Sequence, residues 1–265
     1  MKKIRFYINR SSLLMVMVLM LLTTAFSKRV RKEFYQIKIY QFKTNAQVAR
    51  VDSFLNDAYL PGLHRRGIRK VGVFKPIAND TAAIKKIYVL MPFKSLEQFF
   101  KLGNDLDKDE DYKIAGKPFL EAAFNNPPFI RLESVLLEAF DKQPAFSLPN
   151  LTSSVADKVY ELRSYESATD KLFAAKVDMF NAGGETALFQ RLGFNALFYA
   201  SVISGSQMPN LMYMTSFENM EQRNAHWKTF GSDPEWKTLS ALEKYKNTVS
   251  HADIILLRAT EYSDM

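Results

Sequence analysis

Residues 34–40 alternate between the two faces of an extended chain and carry aromatic and isoleucine side chains, which predicts a β-strand. The spacing then changes. Val48, Val51, Phe54, Leu55, Ala58 and Tyr59 recur at helical intervals, predicting a helix over 46–66 that Gly67 ends. Residues 68–74 and 86–91 read as a second and third strand, a helix follows from Ser95, and 131–140 reads as a fourth strand. The order β-α-β-β-α-β is that of a ferredoxin-like unit. A second unit follows, with strands over 159–165, 194–203, 211–217 and 253–260 and helices over 171–191 and 219–230.

The two units repeat each other in sequence as well as in pattern. Tyr35-Gln-Ile-Lys-Ile-Tyr40 matches Tyr160-Glu-Leu-Arg-Ser-Tyr165, and Leu63-His-Arg-Arg-Gly67 matches Leu188-Phe-Gln-Arg-Leu-Gly193 with one insertion. Phe93-Lys-Ser-Leu-Glu-Gln98 matches Phe217-Glu-Asn-Met-Glu-Gln222, and Ser134-Val-Leu-Leu-Glu138 matches Ile254-Ile-Leu-Leu-Arg258. The same order at nearly constant offset argues for one unit used twice, over 33–140 and 158–262. Residues 141–157, with Pro144, Pro149 and several Ser, Thr and Asn, form the linker. The first unit carries an excursion over 103–128, with a helix expected over 109–124. A four-stranded sheet of this kind has helices on one face and must cover the other. The fold class is therefore α+β: two ferredoxin-like βαββαβ units forming an intramolecular dimeric α+β barrel, with a central cavity expected.

Composition changes this picture mainly at the N-terminus. The basic residues Lys2, Lys3, Arg5 and Arg10 precede the uncharged stretch 11–26, and small residues at Ala25 and Ser27 suit a cut after Ser27. That order is a secretory signal peptide over 1–27, and the apolar run is shorter than the ~20 residues a spanning helix needs. Lys28, Arg29, Arg31 and Lys32 follow directly and resist translocation, which keeps an uncleaved anchor as the alternative. The location expected is periplasmic or secreted, with membrane contact only through an uncleaved leader. Four of the eight net positive charges sit in the leader, and the other basic residues are scattered among acids, so nucleic acid is excluded as a partner. The absence of cysteine removes disulfides, thiolate catalysis and a lipoprotein anchor.

In the second unit, Val159-Tyr-Glu-Leu-Arg-Ser-Tyr165 resembles the opening strand of NIPSNAP domains. Arg223, His226-Trp227 and Asp233-Pro-Glu-Trp236 resemble the later NIPSNAP signature. The first unit matches more loosely, with Gln36 and Lys38 in the strand and no Asp-Pro-Glu-Trp string. The resemblance implies tandem domains and the dimeric α+β barrel fold, and it implies no agreed activity. Antibiotic-biosynthesis monooxygenases and haem-handling chlorite-dismutase-like proteins share that fold, which is an analogy of fold alone.

Alternation along the strand over 159–165 places Tyr160 and Leu162 on one face, expected to meet the helices. Glu161, Arg163 and Tyr165 fall on the other, expected to line the barrel interior and bind a polar ligand. The bland reading is an internal Glu–Arg pair. Lys38 and Tyr40 hold the matching places in the first unit, with Gln36 opposite Glu161, so the halves are chemically unequal. His64, His226 and His251 share no short metal-ligand spacing, and no metal or cofactor is expected. Asn224 and Trp227 are of the residue types that cofactor-free oxygenases of this fold use, although Trp227 reads as core packing. Asp233-Pro234-Glu235-Trp236 reads as a helix start: a capping Asp, Pro at the first position, an acid at the positive end of the dipole and a packing Trp. Asn181-Ala-Gly-Gly-Glu185 resembles a phosphate loop only superficially, because it falls inside a helical pattern. With Asn56 at the matching place, both helices are expected to kink at one level.

Three functions follow. The first is binding of a small organic molecule in the barrel cavity without catalysis. The second is a cofactor-independent oxygenase or isomerase using Glu161 as base. The third is an interaction scaffold docking through the 103–128 excursion. Whether the chain is an enzyme, and whether it assembles into a further homo-oligomer, stay open at this level.

Overall fold

The computed structural model describes residues 31–265, of which Lys32–Met265 form one compact unit. The expected signal peptide lies outside the described residues. The first half runs β1 (Phe34–Phe42), α1 (Asn45–Phe54), a π-turn (Leu55–Tyr59), α2 (Leu60–Arg65), β2 (Gly72–Pro76), β3 (Lys85–Phe93), α3 (Leu96–Asp107), α4 (Glu110–Leu120) and β4 (Arg131–Ala139). The second half runs β5 (Val159–Glu166), α5 (Asp170–Asn181), α6 (Glu185–Arg191), β6 (Asn195–Ser204), β7 (Asn210–Phe217), α7 (Met220–Ser232), α8 (Pro234–Ala241) and β8 (His251–Ala259). Thr44 and Thr169 cap α1 and α5 identically, each accepting a backbone N–H three residues on.

The eight strands close into one barrel in the order β1-β3-β2-β8-β5-β7-β6-β4, antiparallel at every seam. Within each unit the first strand is central: β1 pairs with β3 and β4, and β5 pairs with β7 and β8. The units join where Phe74 faces Ala259 across β2–β8 and where Leu136–Ala139 run beside β6. The helical spacing breaks at the expected level in both copies. The first absorbs the break in the π-turn after Phe54, and the second stops at Asn181 and restarts at Glu185. Strand β2 starts at Gly72 rather than Ile68, because Val71 gives its backbone N–H to Asp264 Oδ2 and its carbonyl to the Asp264 N–H. The excursion continues α3 and adds α4.

The barrel interior is lined by a continuous cluster of apolar side chains. Tyr35, Ile37, Phe74, Leu90, Leu137, Tyr160, Leu162, Phe198, Met214 and Leu257 are nearly or wholly buried there. This corrects two expectations. The cavities described below lie outside this layer rather than at its centre, and Tyr160 and Leu162 face inward. Glu161, Arg163 and Tyr165 point outward, under the helices. Period two assigns residues to opposite faces without naming them, and only the partners of each face decide. The interior is the layer without polar partners for Glu161, whereas α7 supplies Arg223 and Trp227.

A fragment comprising residues 158–265 bares Tyr160, Leu162, Phe198 and Met214 on one sheet face. Sedimentation should show it self-associating, and a monodisperse folded monomer would contradict the closure described here.

Candidate functional site

Glu161 is fully buried, and every one of its strong partners comes from the second unit. Arg163 Nε donates to Glu161 Oε1 at 2.5 Å, while Arg223 Nε and Trp227 Nε1 donate to Oε2 at 2.6 and 2.9 Å. Burial alone works to raise its carboxyl pKa, but the hydrogen bonds and charges of Arg223 and Arg163 outweigh it and hold the group below its ordinary value. Glu161 is therefore a fixed anion that orients two guanidinium groups, and it does not border open space.

Arg163 turns this anchor toward a cavity. Its guanidinium stacks 3.6 Å from the Trp227 ring centroid, and Nη1 donates to the Tyr165 hydroxyl at 2.8 Å. Tyr165 in turn meets the buried Tyr213 hydroxyl at 2.9 Å. Nη2 makes no hydrogen bond among the described residues. The cavity holds about 500 Å³ and lies between the sheet and the helices, not inside the barrel. Arg163, Tyr165, Tyr213, Trp227, Phe230 and Trp236 form its aromatic and cationic wall, and Ala252 and Ile254 of β8 border it. Its size is in the ordinary range for a small-molecule site. A second hollow of about 480 Å³ lies beneath the linker, where Lys142 is the one charged lining residue. The first brings two cations, a carboxylate, three tyrosines and both tryptophans to one space.

Lys176 and Glu185 also line the cavity and were not singled out by sequence spacing. Lys176 Nζ donates to Glu185 Oε2 at 2.9 Å, with both side chains almost wholly buried. Burial pushes the Glu185 carboxyl up, against the opposing pull of Lys176 and Arg163. Trp227, read from sequence as core packing, both packs against Phe194 and borders the cavity. The Asp-Pro-Glu-Trp string does start a helix. Asp233 accepts the backbone N–H groups of Glu235 and Trp236, and the Trp236 ring packs at a tilt against Phe230, with centroids 4.4 Å apart. Arg191 of α6 ties to Asp233 and Glu235, fixing α8 and with it this wall.

The first unit places Lys38 and Tyr40 away from this cavity. Lys38 Nζ donates to the Tyr59 hydroxyl at 2.8 Å, and Tyr40 packs among Phe42, Phe119 and Phe129. The space matching the cavity is filled by a stack of Phe54 on Phe119 at 3.9 Å, flanked by Tyr59 and Tyr112. The histidines stay apart: His64 pairs with Asp264 and His226 with the Leu192 carbonyl. His251 meets Asp253 and Glu166 near the end of the β5–β8 ribbon, within 4.8 Å of one another, with the His251 side chain exposed.

Glu161→Gln removes the buried anion shared by two partly buried guanidinium groups. Denaturant unfolding at pH 7 should show a loss of about 3–5 kcal/mol. A carboxyl lowered in the folded state stabilises above its unfolded pKa, and that contribution is lost as pH falls through the folded value. The difference between variant and wild type should therefore shrink below about pH 4. An equal difference at pH 7 and at pH 3 would contradict the assignment.

Three solved structures share this barrel. A protein described as a candidate monooxygenase from Fusobacterium nucleatum is 8% identical, with a TM-score of 0.57 over 87% of this chain and 93% of that one. A second protein of that description, from Lactobacillus acidophilus, is 11% identical, with a TM-score of 0.54 over 88% and 95%. An anthrone oxidase-like protein is 10% identical, with a TM-score of 0.52 over 88% and 93%. At these identities the likeness is one of fold. No curated protein matches the chain in sequence. The NIPSNAP family model matches residues 160–264, from Tyr160, the second residue of β5, to the C-terminal tail. The second unit, which bears both the Glu161–Arg163 anchor and the cavity, is the part of the chain that matches the NIPSNAP family.

Proposed function

We propose that the protein binds a small, planar organic molecule carrying an acidic oxygen in the cavity of the second unit. One observation carries this reading: the same position is open and charged in one unit and filled by stacked aromatics in the other. The free Nη2 edge of Arg163 and the Tyr165 hydroxyl suit a carboxylate or phenolate. Trp227, Phe230 and Trp236 suit a flat apolar body. Arg163 is held in place before a ligand arrives, so little ordering entropy opposes binding. The proposed site is export-compatible, and the basic and apolar leader supports a location outside the cytoplasm, with Lys28 as the mature N-terminus.

Oxygenation of the bound molecule is a second reading, drawn from the fold neighbours described as monooxygenases. Glu161 does not serve as its base, because its carboxyl is bonded on both oxygens and does not line the cavity. The scaffold reading draws on Phe100, Ile114 and Phe124, which are exposed on and around the excursion helices.

The chain has two tryptophans, and both border the cavity. Titration with 2-naphthoate should quench their fluorescence, and Arg163→Lys, which keeps the charge but loses the planar fork, should weaken binding by about tenfold or more. Unquenched fluorescence at millimolar 2-naphthoate would overturn the reading.

A further inference from the structure

The second unit buries a charge pair that the first unit does without. With the capping threonines Thr44 and Thr169 in register, the positions of Lys176 and Glu185 correspond to Val51 and Leu60, both buried in an apolar core. Replacing a buried ion pair by packed apolar residues is often neutral or stabilising. The first unit shows that this fold is built with Val and Leu there, so packing does not call for Lys176 and Glu185. The chain is also shaped to place them. Gly184 has φ +91°, a backbone region that disfavours side chains, and a Cβ on Gly183 would meet the Met179 carbonyl oxygen at 2.6 Å and the Tyr245 hydroxyl at 2.7 Å. These two glycines break the helix between α5 and α6 and start α6 at Glu185.

Glu185 is the one carboxyl in the cavity lining. Around it stand Lys176 of α5, Arg163 and Tyr165 of β5, Tyr213 of β7 and Tyr245 of the turn before β8, all lining the same space. Tyr199 of β6 lies near enough for the Glu185 charge to act on it. Lys176 Nζ lies 4.8 Å from the Phe180 ring centroid and 5.8 Å from those of Tyr165 and Trp236. A carboxylate beside two cations at an aromatic-walled cavity has the parts for moving a proton on a carbon acid.

We propose that Glu185 is the general base that takes a proton from the carbon beside the carbonyl of an aromatic ketone bound in this cavity, with Lys176 and Arg163 stabilising the enolate oxygen. The inference rests on the ligand-binding reading above, with the enol oxygen of the ketone as the acidic oxygen that Arg163 receives. The C–H bond breaks, its proton passes to a Glu185 carboxylate oxygen, and its electron pair forms the enolate C=C. The carbonyl π pair moves to oxygen, where the ammonium and guanidinium groups offset the charge. Return of the proton to the same carbon, or to a conjugated one, regenerates the carboxylate and consumes no oxidant or reductant. Burial, which lifts the carboxyl above its ordinary range, brings it nearer the working pH of a base.

The test is proton exchange on 2-tetralone in D2O, followed by loss of the C1 proton signal in NMR, alongside tryptophan quenching by the same compound. The wild type should speed exchange above buffer, and Glu185→Gln should cut that rate by about 100-fold or more while still quenching. Because a lone buried Lys176 threatens folding, the double variant Lys176→Val/Glu185→Leu installs the first unit's residues. It should unfold thermally at or above the wild-type midpoint and show no catalysed exchange. Wild-type exchange in Glu185→Gln, or quenching by 2-tetralone without accelerated exchange in the wild type, would overturn the inference and leave binding intact. If neither 2-tetralone nor 2-naphthoate quenches, the binding reading fails and this inference fails with it.

Discussion

A four-stranded sheet with helices on one side leaves its other face bare, and in this protein each sheet covers the other's. That constraint decides where anything else can happen. Both inner faces must be apolar and interlocked, so Tyr35, Ile37, Phe74, Tyr160, Leu162 and Leu257 fill the barrel. A ligand site is thereby displaced to the helix side. There the residues alternating with the barrel core, Glu161, Arg163 and Tyr165, meet α5, α6, α7 and α8. The anchor of the site is a buried carboxylate satisfied on both oxygens, and the working edge is the guanidinium it holds.

Duplication gives the protein an internal comparison. Both units solve the same packing problem with the same topology, yet they differ on the helix side of the sheet. The first closes that space with Phe54, Phe119, Tyr59 and Tyr112 around the Lys38–Tyr59 hydrogen bond. The second leaves about 500 Å³ open and borders it with charges. Charges buried at such a depth are costly to fold around. Their concentration in one copy separates what the fold needs from what the site needs.

The repeat and the order of strands and helices along the chain were legible in the sequence because period two and helical spacing report directly on burial, and the barrel followed from the bare face that each sheet must cover. The choice of face was not. Tyr160 and Glu161 alternate equally well in either orientation, and the decision rests on Arg223 and Trp227, more than sixty residues away in the chain. Lys176 and Glu185 were hidden for a related reason. They are nine residues apart, and only the helix break at Gly183 and Gly184 brings them together. The Asp-Pro-Glu-Trp string was read correctly as a helix start, because a cap is a local device. That Trp236 also borders a cavity depends on where α8 docks, and no local pattern carries that.

The central claim is the location of the ligand site. A crystal structure of the protein soaked with 2-naphthoate tests it most directly. The account expects the naphthyl ring between Trp227 and Trp236 with its carboxylate on Arg163 and Tyr165. Ligand density inside the barrel, among Tyr35, Tyr160 and Leu162, would contradict it.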